Sequence, residues 1–322
     1  MCRCPQSQAK MRGSAKPHPV ATPPPNHDKN RMNRRQKKDP SIPPAGGNTE
    51  IRVENLYKAF GEHTVLQGIN LDIHRGDILA IIGGSGCGKT VLLNHILGLL
   101  APDRGRVLVT DHDAPGEPLC DLAKISPEGV DRIHRRWGMV FQRNALFSGS
   151  VLDNIALWLR EIREMPEEDI RRIARQSLKA VGLPSDDEFL ASSQEALSGG
   201  MAKRLAVARA VSMSPTIMFY DEPTTGLDPT SSSQIHDLIY KTHEARDADG
   251  RHRTTVIITH DKDLLKRLRP RTVMLHEGKI YFDGPFEQFE QRADSAIIRP
   301  YFRLMPTLHQ RNPDQTPPLP VA

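Results

Sequence analysis

The sequence lacks a long apolar run, and this absence argues against a membrane-spanning helix. Its most apolar stretch, Val91 to Ala101, contains Asn94 and His95, whereas a spanning helix needs about eighteen or more apolar residues. Cysteine is scarce as well. The four cysteines show no disulfide or metal-ligand spacing, which favours a reducing cytoplasm. Work at a membrane would therefore require a separate membrane-embedded subunit.

The first fifty residues differ in composition from the rest of the chain. They hold 10 Lys and Arg against 3 Asp and Glu, a net charge of +7, whereas the remaining 272 hold 34 against 36, a net charge of −2. With nine of the 26 prolines and few aliphatic residues, this stretch cannot bury a core. We therefore predict a disordered basic tail over residues 1–49, a folded domain over 50–285, and a C-terminal extension over 286–322 whose end is also disordered.

Short apolar segments alternate with helical patterns between these tails, which predicts an α/β fold with a mainly parallel sheet. The segments Ile51–Tyr57 and Leu66–Ile73 are typical of two antiparallel strands joined by a turn. From about residue 143 to 197 the patterns are helical, so we expect an all-helical insert there. Further strands are predicted at Ile78–Ile82, Thr216–Tyr220, Thr255–Thr259, Arg271–Leu275 and Lys279–Phe282.

A glycine-rich loop follows the strand predicted at Ile78–Ile82 and matches the Walker A phosphate loop. Its glycines let backbone N–H groups surround phosphates, and the helix that follows attracts anions at its N-terminus. We predict that Lys89 contacts the β- and γ-phosphates and that Thr90 binds Mg²⁺. The residues predicted to bind the nucleotide in this loop are Gly83, Gly84, Ser85, Gly86, Cys87, Gly88, Lys89, Thr90 and Val91.

Two carboxylates end a second apolar strand. Asp221, which is 132 residues beyond Lys89, and Glu222 directly follow Tyr220. A carboxylate at the C-terminal end of a strand beside a phosphate loop is placed to hold hydrated Mg²⁺, and the next one can polarise the attacking water. We predict Asp221 as a metal ligand and Glu222 as the general base. The alternative is a surface turn without chemistry, which the phosphate loop in the same chain disfavours.

A second anion-binding helix start lies in Leu197–Met201. Ser198 suits the N-cap position, and Gly199 and Gly200 leave backbone N–H groups accessible. With this motif shortly before Asp221, the sequence resembles the ATP-binding-cassette (ABC) ATPases over roughly residues 51–285. The resemblance implies a P-loop NTPase fold with a RecA-like mixed sheet core, an antiparallel β subdomain and an α-helical subdomain.

Other motifs resemble those of the same family in the same order. Gln142 resembles the Q-loop residue, which would contact Mg²⁺ and water and sense a membrane subunit. Asp228 resembles the D-loop aspartate, and His260 resembles the switch histidine. Phe60 resembles the aromatic residue that stacks on adenine, with Tyr57 as the competing candidate.

The resemblance also implies a mechanism with ATP and Mg²⁺ as cofactors. Two copies would pair head to tail, with each ATP between the phosphate loop of one copy and Ser198, Gly199 and Gly200 of the other. Water would attack the γ-phosphate in line, and Lys89 would help to neutralise the charge that develops. The catalytic residues that the resemblance implies are Glu222, His260, Lys89 and Gln142.

Finer features suggest a subfamily. Ala145–Phe147, the following helix through Glu161, and Met201 in place of the usual glutamine resemble the Mla-type ATPases, which energise Mce-domain phospholipid transporters. The implied partners are two permease subunits and a lipid-binding Mce-domain protein, at the cytoplasmic face of the inner membrane. Residues 296–304 could correspond to the extension that crosses the dimer in that group.

Two other functions stay open. An importer of amino acids or other small solutes would use the same cassette. A non-transport ABC protein that acts on DNA or ribosomes is disfavoured. Such proteins carry two cassettes or long coiled coils in one chain, whereas this sequence shows one cassette. The folded body is also slightly acidic, which argues against nucleic acid as a partner.

Overall fold

A computed structural model describes residues 48–114, 118–246, 250, 252–292 and 295–299 of the protein. Residues 1–47 of the tail predicted over 1–49, and the chain beyond residue 299, lie outside this range. Named in chain order, the strands are β1 (Thr49–Phe60), β2 (His63–His74), β3 (Ile78–Gly83), β4 (Arg104–Val109), β5 (Cys120–Asp121), β6 (Trp137–Val140), β7 (Ile217–Asp221), β8 (Thr254–Ile258), β9 (Arg271–His276) and β10 (Lys279–Pro285). The helices are α1 (Lys89–Ile96), α2 (Pro127–His134), α3 (Val151–Glu161), α4 (Glu167–Ala180), α5 (Asp187–Ala191), α6 (Gly199–Ser212), α7 (Pro229–Glu244), α8 (Lys262–Leu268) and α9 (Phe286–Gln291), with a 3₁₀ turn at Gln194–Ala196.

The smaller sheet is antiparallel, with strand order β2-β1-β4-β5. β1 and β2 form a hairpin in which Thr49 pairs with His74 and Phe60 with His63, which confirms the predicted opening pair. Ile51 and Val53 on β1 are buried, and the residue between them is partly exposed. This alternation is typical of an antiparallel sheet with one face on the core.

The larger sheet has the strand order β10-β9-β3-β8-β7-β6. Its strands are parallel except for β10, which pairs antiparallel with β9. β3, β7 and β8 are almost entirely buried, as expected for strands that are covered on both faces. The predicted α/β fold is therefore confirmed. Because neighbouring parallel strands end at the same edge, the residues that follow β3, β8 and β7 lie side by side.

The chain between β6 and β7 is helical, as predicted. Ser150 caps α3 in a capping box: its hydroxyl accepts from the Asp153 N–H, and the Asp153 carboxylate accepts from the Ser150 N–H. α4 begins after Pro166 with three acidic residues in its first turn, which favour a helix N-terminus. Apart from one isolated β-bridge between Ser150 and Ser193, this fully described segment contains no strand.

The described start of the C-terminal extension packs on the domain that precedes it. Ile298 is fully buried in one apolar cluster with Phe282, Phe286 and Phe289. The extension therefore begins as part of this chain's own core. The prediction that it crosses a dimer concerns mainly residues beyond 299, which lie outside the described residues.

Candidate functional site

The phosphate loop joins the end of β3 to the start of α1. Gly88 occupies the N-cap of α1 with φ 103°, and a Cβ there would lie 2.8 Å from Leu66 Cδ2, so the position requires glycine. Gly84, Ser85 and Gly86 are exposed, which leaves their backbone accessible to a ligand. The predicted strand, loop and helix are therefore all present around these residues.

Lys89 lies folded over this loop. Its Nζ donates hydrogen bonds to the carbonyl oxygens of Gly83 at 2.9 Å and Gly84 at 3.0 Å. The ammonium group is thereby held at the mouth of the loop. Thr90 is exposed beside it, and Cys87 is half-buried with its pKa raised by burial.

Asp221 is the last residue of β7 and lies opposite Ile258 of β8. Burial raises the pKa of its carboxyl group, and the neighbouring carboxylate of Glu222 raises it further, whereas Lys89 and Lys203 act in the opposite direction. The carboxylate is therefore within electrostatic reach of the phosphate-loop lysine. A cation bound there would favour its ionised form.

Glu222 adopts the left-handed conformation, with φ 47°, and its N–H donates to the carbonyl oxygen of Ile258 at 2.8 Å. Non-glycine residues rarely hold this conformation, and strain of this kind is found at functional sites. The turn directs the side chain to His260, whose Nδ1 lies 2.7 Å from Glu222 Oε2. This hydrogen bond raises the pKa of His260.

Asp261, directly after His260, was not predicted from the sequence as a site residue. One carboxylate oxygen accepts from Thr224 Oγ1 and contacts His236 Nε2, both at 2.8 Å. The other oxygen caps α8 by accepting the N–H groups of Asp263 and Leu264. Asp261 therefore holds the chain next to His260 against the turn that follows Glu222.

Gln142 is exposed in the loop after β6. A side chain of helix α6 donates a hydrogen bond to its backbone carbonyl oxygen. Lys203 on α6 is buried and donates to the carbonyl oxygens of Phe141 at 3.0 Å and Gln142 at 2.9 Å. Burial lowers the pKa of Lys203 to about 8, although the nearby Asp221 opposes this. Arg209, also on α6, donates a hydrogen bond to the carbonyl oxygen of Ala145 at 2.7 Å.

Ser198 is the N-cap of α6, as predicted, and its Oγ accepts from the Met201 N–H at 3.3 Å. Gly200 lies against the start of α7, since a Cβ there would be 2.7 Å from Ser231 Oγ. Asp228 caps α7 by accepting the Ser231 N–H at 3.0 Å, and hydrogen bonding from the Ser231 side chain and then from its N–H lowers the pKa of the Asp228 carboxyl group. The signature and D-loop segments thus contact each other.

The two aromatic candidates for adenine stacking both lie near the end of β1. Phe60 is 50% exposed, and Lys58 Nζ lies 5.5 Å from its ring centroid. Tyr57 is 37% exposed, and the Arg104 guanidinium lies 5.2 Å from its ring centroid. The greater exposure of Phe60 favours it, and stacking on adenine stays a prediction.

Within one copy, the structure brings part of the predicted site together. Lys89, Asp221, Glu222 and His260 share the C-terminal edge of the parallel sheet, because they follow or end the adjacent strands β3, β7 and β8. Ser198–Gly200 lie at the start of α6, directly after the helical insert, and Gly200 lies against Ser231 at the start of α7. The roles of all these side chains in binding and hydrolysis stay predictions.

Comparison with known proteins identifies the family. The family model described as ABC transporter matches residues 66–225. The chain is also 35% identical over 250 residues to the intermembrane phospholipid transport system ATP-binding protein MlaF of Haemophilus influenzae, with 77% of this chain and 89% of that protein covered. The chain belongs to the ABC transporter family. This ABC protein is accordingly an ATP-binding, ATP-hydrolysing subunit.

Other relatives of this ABC ATPase are named for the transport of other substrates. It is 33% identical over 254 residues to the histidine transport ATP-binding protein HisP of Pseudomonas aeruginosa, with 78% and 96% of the two chains covered. A solved dimeric ATP-binding cassette in a post-hydrolysis state with ADP and Pi matches with a TM-score of 0.61 and 29% identity, over 73% of this chain and 98% of that one. In the described part of the chain, none of the helices combines the length and the apolar character that crossing a bilayer requires.

Proposed function

We propose that this ATPase works as a homodimer that energises phospholipid transport between the inner and outer membranes. Its partners would be two permease subunits and an Mce-domain lipid-binding protein, and it would lie at the cytoplasmic face of the inner membrane. The observation that carries the proposal is the 35% identity to the phospholipid transport ATPase over 89% of that protein's length. The Ala-Leu-Phe run at Ala145–Phe147 and Met201 in the signature favour the same group.

The proposed nucleotide site is shared between two copies. Lys89 would exchange its two loop carbonyl partners for the phosphates of ATP, and the Ser198–Gly200 turn of the second copy would close over the γ-phosphate. Support comes from the separation of these elements within one chain and from the dimeric relative. The backbone N–H groups at the start of α6 suit an anion.

The proposed chemistry assigns separate tasks to the residues at the sheet edge. Glu222 would accept the proton of the attacking water, and His260 would orient Glu222 through the 2.7 Å contact. Thr90, Gln142 and Asp221 offer a hydroxyl, an amide and a carboxylate oxygen, which is a donor set that suits Mg²⁺. Mg²⁺ would add positive charge beside the phosphates, and Lys89 would supply more.

An open apolar groove next to the Q-loop offers a place for a permease helix. It encloses about 400 Å³ and is lined by Leu99, Trp137, Phe141, Phe147, Trp158 and Met213, among others. Leu99, Phe141, Phe147 and Trp158 are each more than a third exposed, and a cluster of exposed apolar side chains is typical of a surface that a partner covers. A permease is the proposed occupant because the groove adjoins the loop that carries Gln142.

The docking proposal has a matched test. Trp158 in the groove and Tyr240 on α7 are both 43% exposed. Trp158→Glu should abolish co-purification of the permeases without loss of ATP binding, whereas Tyr240→Glu should leave the complex intact. Normal permease recovery with Trp158→Glu would contradict the assignment of the groove.

The substrate class is tested by the partners that co-purify from detergent extracts of the source cells. A permease and an Mce-domain protein are expected. The second candidate function is import of amino acids or other small solutes, which the similarity to HisP favours. Recovery of a solute importer's permease without an Mce-domain protein would support that candidate, and recovery of ribosomes or DNA would contradict both.

A further inference from the structure

A histidine pair and a glutamate lie together at the end of the larger sheet that is remote from the residues proposed to bind the nucleotide. His243 and Glu244 end α7, and His252 comes shortly before β8. β8 then runs five residues to the opposite edge, where His260 follows, a length of roughly 17 Å. The cluster is therefore separate from the residues proposed for hydrolysis.

The donor atoms of this cluster are close to one another. One donor atom from each of His243, Glu244 and His252 lies within 4.8 Å of the other two. Glu244 Oε1 is 3.9 Å from His252 Nδ1, too far for a hydrogen bond. His252 Nδ1 is itself buried and has no hydrogen-bond partner. Within residues 48–299, as far as the structure describes them, no second group of three such side chains meets the same distance limit.

His243 is positioned as metal-binding histidines usually are. Its ring is buried, and its Nδ1 lies 3.3 Å from Thr255 Oγ1. The Thr255 hydroxyl donates to the carbonyl oxygen of Arg253, so its oxygen is left to accept the Nδ1–H. With its proton on Nδ1, the His243 ring has the lone pair of Nε2 available to bind a metal ion. A hydrogen bond from the non-coordinating nitrogen is the usual partner arrangement of a histidine ligand.

We propose that His243, Glu244 and His252 bind a transition-metal ion of the Zn²⁺ class. Two imidazole nitrogens and one carboxylate oxygen suit Zn²⁺, whereas Mg²⁺ and Ca²⁺ prefer oxygen ligands. Water would occupy the fourth position. The ion would link the end of α7 to the residue that leads into β8.

The donor atoms must move closer together before they can share one ion. Ligands at about 2.05 Å in a tetrahedron are about 3.3 Å apart, so the 3.9 Å pair must approach by about 0.6 Å. The two imidazole rings are stacked, with centroids 5.7 Å apart and planes inclined by 13°, so the His252 ring must also turn toward the ion. His252 and Glu244 are 38% and 46% exposed, which leaves them room to do so around the buried His243.

Zinc binding by the full-length, metal-free protein tests the proposal. His252→Asn is the test variant, since His252 is partly exposed and its loss should leave the fold intact. His276→Asn is the matched control, because His276 makes the same 3.9 Å contact with a neighbouring carboxylate, Glu277, outside any such cluster. Zinc stoichiometry and affinity are measured by chelator competition, and melting temperature is measured with and without zinc.

The wild-type protein and His276→Asn should bind one zinc ion more than His252→Asn, or bind it at least about tenfold more tightly. Zinc should raise the melting temperature of the first two proteins and not that of His252→Asn, because an ion that binds only the folded state stabilises it. Equal zinc stoichiometry, affinity and melting shift in all three proteins would overturn the proposal.

Discussion

Lys203 provides the sharpest quantitative prediction, because a buried ammonium group has a cost that depends on pH. Its pKa falls from 10.5 to about 8 in the folded protein. At about 1.4 kcal/mol for each pH unit, this difference corresponds to about 3 kcal/mol. Below pH 8 the unfolded and folded chains both carry the proton, and the folded state bears the full cost of burial. Between pH 8 and 10.5 the unfolded chain binds more protons, so folding stability should rise with pH.

Lys203→Met removes this titration while keeping a side chain of similar length. The wild-type free energy of unfolding should rise by about 3 kcal/mol relative to the variant between pH 8 and 10.5. Urea unfolding at a series of pH values measures the difference, and groups that titrate equally in both proteins cancel. Lys266→Met, at an exposed position on α8, is the control and should follow the wild type.

The same substitution also tests the link between the signature helix and the Q-loop. Without Lys203, the carbonyl oxygens of Phe141 and Gln142 lose their donors, each worth about 1.5–3 kcal/mol when the donor is charged. ATPase activity should fall in Lys203→Met and recover partly in Lys203→Arg. If the free energies of unfolding of Lys203→Met and the wild type changed in parallel with pH, the lowered pKa of Lys203 would be refuted.

Three further substitutions have defined outcomes. Glu222→Gln should lower ATPase activity at least about a hundredfold and preserve ATP binding, because the amide keeps the shape but accepts no proton; unchanged steady-state turnover in the partner complex would disprove the base. Lys89→Ala should weaken ATP binding itself, measured by calorimetry, and retained affinity would contradict its phosphate role. Asp261→Asn should lower the free energy of unfolding by about 1–3 kcal/mol, since it weakens the buried contacts to His236 and Thr224; urea unfolding that matches the wild type would argue against this network.

The sequence predicted best the elements whose local pattern decides their structure. β3, β7 and β8 are short runs of apolar residues, and their burial on both faces follows from that composition. The phosphate loop was equally clear, because its glycines let the backbone turn around an anion and Lys89 adds a side-chain ammonium group. The acidic first turn of α4 and the Ser198 cap of α6 also carry their own start signals.

Other elements depend on contacts that a linear pattern does not show. β4 contains two arginines and a glycine, so it was not predicted, and its pairing with β1 defines it. β6 has four residues and joins the sheet through β7. Lys203 and Asp261 look like ordinary helix and turn residues in the sequence. Their importance appears only when the fold brings carbonyl oxygens or His236 to them.

The proposed mechanism depends on an active site that is divided between two copies of the protein. The most direct measurement is the ATPase rate per subunit across a dilution series of the purified protein, with the fraction of dimer determined in the same solutions by analytical ultracentrifugation. We predict that the rate per subunit follows the dimer fraction and falls toward zero as monomer predominates. A monomer that hydrolyses ATP at the rate of the dimer would contradict the account.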